Sequence, residues 1–142
     1  MKSRDSVLRL RRFQADEKRR RVSQIESMIA EFERMARDLS DQVTAEQNRT
    51  GIHDVTHFAY PTFAKAALAR RDNLLASADE LKGQLTAAQD DLAEAVEDLK
   101  RLELIAERDG VRERAVAAAA EQEEIDAMAA RRRVRGEPPA FA

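Results

Sequence analysis

The chain has 142 residues, of which 37% are charged and 4% aromatic, with a formal net charge of −2, four glycines, three prolines and no cysteine. Without cysteine there is neither a disulfide framework nor a thiolate site. So much charge with so few aromatics suits long helices that share a buried strip, not a core enclosing a ligand cavity, and this counts against an enzyme.

Residues 2–21 are strongly basic. Lys2, Arg4, Arg9, Arg11, Arg12, Lys18, Arg19, Arg20 and Arg21 face only Asp5, Asp16 and Glu17. No apolar run precedes Arg12, so no secretory signal is expected here. No stretch of the chain approaches the roughly 18 apolar residues of a membrane span, and a cytoplasmic protein is expected. The basic stretch reads either as an arm for nucleic acid or anionic lipid, or as a solvated helix face neutralised by a partner helix.

From Val22 to Leu39 the apolar residues recur in steps of three and four: Val22, Ile25, Ile29, Phe32, Ala36 and Leu39. The beat continues to Val43 and back to Ala15 and Leu8. This is a heptad seam, and a helix carrying one needs a partner to cover it. Toward the N-terminus Arg11 and Lys18 fall on seam positions, while Leu10 and Phe13 lie off it. That end is expected to drift out of register, or to offer Val7, Leu10 and Phe13 to another surface. The first helix spans about 3–49 and stops near Gly51, where glycine suits a left-handed cap.

The loop, about 50–60, holds the only two histidines, His53 and His57. Their spacing allows a shared metal only on a helix and with a third ligand, and none is in view, so neither metal nor cofactor is expected. Phe58, Tyr60 and Phe63 cluster here. They read as a plug for the end of a hairpin or as an exposed anchor for a partner. Pro61 suits a helix start.

The second helix spans about 61–134. Leu74, Ala78, Leu81, Leu85, Ala88, Leu92, Ala95, Leu99 and Leu102 repeat the same seam. Two matched seams joined by one loop predict an all-α fold: an antiparallel two-helix coiled-coil hairpin, a single domain over 1–142. In that hairpin the basic residues 4–21 lie beside Asp90, Asp91, Glu94, Glu97, Asp98, Glu103 and Glu107, so the two helices are expected to neutralise each other. Beyond Asp109 and Gly110 helix 1 runs out of residues. The second helix then continues as a projecting C-terminal extension ending in Arg131, Arg132, Arg133 and Arg135, with a disordered tail over 136–142. The glycines at 51, 83, 110 and 136 are too scattered for a phosphate-binding loop.

The opening MKSRDSVLRLRRFQADEKRRRVSQIE, the loop followed by Tyr60-Pro61-Thr62-Phe63, the length and the arginine-rich end together resemble the FliJ family of flagellar type III export proteins over about residues 2–135. The resemblance implies a non-enzymatic hairpin similar to the central stalk of rotary ATP synthases. It implies partners: the hexameric export ATPase, the cytoplasmic domain of the export gate, and export chaperones. It also implies a place in the cytoplasm, peripheral to the inner membrane at the flagellar base. By position, the gate contact would fall on Phe63, Ala67, Arg70 and Leu74, with Arg70 standing where the family has a small residue. Independently of the resemblance, the aromatic cluster itself offers Phe58 and Tyr60 as the loop's anchor for a partner. By the stalk analogy Arg4, Leu8, Arg11 and Arg12 would meet the ATPase ring. Two other readings stay open: a coiled coil that binds nucleic acid through its basic helix, and a purely structural dimer or filament subunit.

Overall fold

In a computed structural model, residues 2–136 are described. They form two helices, α1 over Lys2–Thr50 and α2 over Thr62–Arg135, joined by one loop. The described residues pack as two compact units, 9–97 and 2–8 with 98–136.

The unit Arg9–Glu97 is an antiparallel helical hairpin. Its interior consists of two clusters built from both helices. In the first, Val22, Ile25 and Ile29 of α1 pack with Leu81 and Ala88 of α2, flanked by Phe32, Leu85 and Leu92. In the second, Val43 packs with Tyr60, Ala64 and Ala67, flanked by Leu39, Ile52 and Leu68. Residues of α1 and α2 near the turn thus meet each other, and those farther from it likewise, as two matched antiparallel seams require. Ala15, Ala36 and Ala78 fill further buried seam positions, and no polar or charged residue among those described is buried. Removing these apolar faces from water is worth roughly 25 cal/mol per Å², and it drives the pairing of helices that are polar elsewhere. Lys82 pairs with Glu33 across this seam at 3.7 Å.

The turn between the helices is closely hydrogen-bonded. Gly51 ends α1 with φ at +73°, a conformation that costs glycine little, and its N–H donates to Gln47 O at 2.8 Å. Thr50 Oγ1 caps Glu46 O at 3.0 Å. Asp54 Oδ1 accepts from Thr56 N at 2.9 Å and from its hydroxyl at 2.7 Å. These bonds hold the Asp54 carboxyl below its usual range. Tyr60 N donates to His57 O at 3.0 Å, and Lys65 N donates to Pro61 O at 3.1 Å as α2 begins. Pro61 therefore stands just ahead of the first helical residue, where its missing N–H leaves no bond unmade.

In the other unit Leu99 is buried and Leu8, Leu102 and Ala106 are half-buried. Arg4 reaches Asp109 at 3.1 Å and Glu113 at 3.2 Å. From Val111 to Met128 every residue of α2 is exposed, although the helix continues to Arg135. Gly136 closes it with φ at +73°. The rest of the tail assigned to 136–142 lies outside the described residues.

The expected neutralisation of the basic stretch needs correcting. Among the described side chains of this stretch, Arg4 makes direct ion pairs to α2. Arg19 pairs with Asp16 at 2.8 Å and Arg20 pairs with Glu17, both within α1. Arg9, Arg11, Arg12, Lys18 and Arg21 make no ion pair among the described residues, and Arg11 donates only to Gln14. The physical reason is the seam position. Buried Ala15 and Val22 bring α2 against one narrow strip; Arg9 and Arg20 project away from it, and Arg11 and Lys18, though on seam positions, stay exposed at its edge.

Candidate docking surface at the loop end

The turn presents apolar side chains that the hairpin does not use. Phe58 is 97% exposed and Phe63 is 56% exposed, with Val55 exposed beside them in the chain. Phe58 stacks on His57 with ring centroids 4.7 Å apart and planes 21° from parallel. His57 is itself held to the loop, because its Nδ1 accepts from Ala59 N at 3.0 Å. A ring so exposed gains nothing from the fold, and burying a phenylalanine is worth about 1.5–3 kcal/mol. The loop's hydrogen bonds hold its backbone in place, so a partner binding here would have little ordering entropy to overcome.

Tyr60 plays the opposite part. It is 7% exposed, packed in the second cluster, and its hydroxyl accepts a hydrogen bond from Gln47 Nε2 at 2.9 Å. It ties the end of α1 to the start of α2 and offers no surface to a partner. Of the two aromatic roles open from the sequence, plug and anchor, the structure gives the first to Tyr60 and leaves Phe58 and Phe63 outside.

The stripe Phe63, Ala67, Arg70 and Leu74 is divided in the same way. Ala67 is buried and Leu74 half-buried, so both belong to the seam. Phe63 and Arg70 are exposed, and the residues completing their outward face are Ala66 and Asn73. Spacings of three, four and three place these four on one side of the helix. The sequence signal for Ala66 is slight, since an exposed alanine looks like any helix former. Of the residues matched to a ring contact, Arg4 is held by Asp109 and Glu113 and Leu8 is half-buried, whereas Arg11 and Arg12 are exposed.

Among the described residues no group of three or more histidine, cysteine or carboxylate side chains is placed to hold a metal ion. No described helix is long and apolar enough to cross a membrane. Comparison with protein-family models, with curated proteins and with solved structures gave no match.

Proposed function

We propose that this chain is a non-enzymatic component of the bacterial flagellar type III export apparatus. It acts as a stalk-like hairpin that binds the export ATPase ring, the cytoplasmic domain of the export gate and export chaperones, and it promotes the secretion of flagellar subunits. It works in the cytoplasm, held peripherally at the inner membrane by these partners. The observation that carries the reading is the exposure of Phe58 and Phe63 at the hydrogen-bonded end of a two-helix hairpin. They flank Tyr60-Pro61-Thr62, within one of the two stretches, with the N-terminal one, that carry the family resemblance.

On this reading Phe63, Ala66 and Arg70 face the export gate, and Phe58 adds an apolar contact from the loop. Exposed Arg11 and Arg12 are the cations available to the ATPase ring. The test is ATP hydrolysis by the purified flagellar export ATPase of the same organism, with and without this protein. Stimulation together with ring formation supports the assignment. No stimulation and no co-elution would remove it. A pull-down with Phe63→Ala then examines the loop end, since that exposed side chain can be removed without disturbing either cluster.

A further inference from the structure

We propose that the outward face of α1 between Arg9 and Arg21 binds directly to an anionic phospholipid surface. Phe13 is 59% exposed and Leu10 is 54% exposed. Ala15, two residues further on, is fully buried, so Phe13 points away from the seam. Arg9, Leu10, Arg20 and Arg21 stand four and three residues before Phe13 and seven and eight after it, and these spacings set them on its face. The segment Arg9–Arg21 carries Arg9, Arg11, Arg12, Lys18, Arg19, Arg20 and Arg21 against Asp16 and Glu17. Both carboxylates are already engaged within the helix, by Arg19 and Arg20.

The pattern is an apolar centre, Leu10 and Phe13, with Arg9, Arg20 and Arg21 on its face and with Asp16 and Glu17, three and four residues after Phe13, held there by Arg19 and Arg20. An anionic bilayer surface fits it because the two rewards come together. Leu10 and Phe13 enter the boundary between headgroups and acyl chains, and the arginines stay at the phosphates. A nucleic-acid backbone would use the cations but has no place for Leu10 and Phe13. The opposing charges, Asp90, Asp91, Glu94 and Glu97, are on α2. Packed helix axes stand about 8–10 Å apart, which is about one Debye length at physiological salt. The acidic helix therefore weakens the attraction of the outer face only partly. The inference does not depend on the proposed function, since it uses neither Phe58 nor Phe63. Arg12 borders the same face, so lipid and an ATPase ring would compete for it.

The full-length protein is sedimented with vesicles of phosphatidylcholine, with and without phosphatidylglycerol, at low and at raised salt. Binding is expected only with phosphatidylglycerol and should weaken as salt rises. Each cation removed is expected to weaken partitioning about fivefold, so Arg9→Gln combined with Arg21→Gln should lower it by roughly 25-fold. Phe13→Ser should lower it about tenfold with helicity unchanged, because the ring makes no core contact. Arg37→Gln, which removes an exposed α1 cation outside the segment, should change it little. The proposal is overturned if no phosphatidylglycerol binding occurs at low salt, or if Phe13→Ser binds as well as the parent. It is equally overturned if Arg37→Gln weakens binding as much as the paired substitution. Duplex DNA and sedimentation of the protein alone are run in parallel. They then show whether a polyanion or a second copy takes the face instead.

Discussion

Ile25 is the largest side chain in the structure that is fully buried, at 1% exposure, and it sits in the cluster with Val22, Ile29, Leu81 and Ala88. Ile25→Ala removes three buried carbons and leaves a gap that two stiff helices fill poorly. Such truncations cost about 2–5 kcal/mol in globular cores. Here the site is one layer deep, and solvent reaches its flanks, so the lower part of that range applies, about 2–3 kcal/mol. For a chain of this length that corresponds to a fall in melting temperature of about 6–12 °C. The measurement is a thermal melt and a urea titration followed by helical circular dichroism. Ile125→Ala serves as the internal control, because Ile125 is exposed and its loss should stay within about 0.5 kcal/mol. Equal effects at the two positions would refute the pairing of α1 with α2 through Ile25. So would a null effect at Ile25.

Leu85 packs on the same cluster, and Leu85→Asp should unfold the hairpin by putting a carboxylate against apolar neighbours, at a cost of about 3 kcal/mol or more; unchanged helicity would contradict the seam. Gly83 lies mid-helix, exposed, with open space where a Cβ would stand, so Gly83→Ala should raise stability by about 0.5–1 kcal/mol in a urea titration. Tyr60→Phe leaves the ring packed but strips Gln47 of its acceptor, which should cost about 1 kcal/mol; no change would mean that water replaces the bond without loss. The carboxyls of Glu31 and Glu46 are held below their ordinary range by hydrogen bonds from Arg34 and Arg49. A lowered folded-state pKa gives stability that is complete above the unfolded value, near 4.5, and is lost as pH falls through the folded one. The melting temperature should therefore hold steady down to about pH 5 and decline below it; a rise on acidification would show that repulsion among the α2 carboxylates dominates instead.

The seams were legible because heptad spacing has one physical meaning in a charged, proline-poor chain. Ile25, Ile29, Val43, Ala78, Leu81 and Ala88 could be placed inside from spacing alone. The pairing of opposite charges was not legible to the same degree. Net charges along two helices say which faces attract, but whether Arg12 meets Glu94 depends on angles that only the packed Ala15 and Val22 decide. The loop was harder again. Phe58, Tyr60 and Phe63 look alike in the sequence. Only the closure of α1 on α2 distinguishes the one that meets Gln47 from the two left in solvent. Ala66 and Asn73, which border Phe63 and Arg70, carry no signal that separates them from ordinary helix surface.

With no buried polar residue in the Arg9–Glu97 seam, its interior contacts between α1 and α2 are all apolar and interchangeable, while the Lys82–Glu33 pair at its edge is chemically distinct. Alignment is instead dictated from the turn, where the Gly51 cap and the Gln47–Tyr60 bond set the origin from which both helices count. The hairpin is in this respect a ruler with its zero mark at the loop. A matched insertion of one heptad in each helix would lengthen it while leaving every pairing nearer the turn as it was. A single residue added within the loop would shift the count for the whole seam at once. The geometry of the exposed aromatics can thus be kept constant while the reach of the arm behind them is free to change.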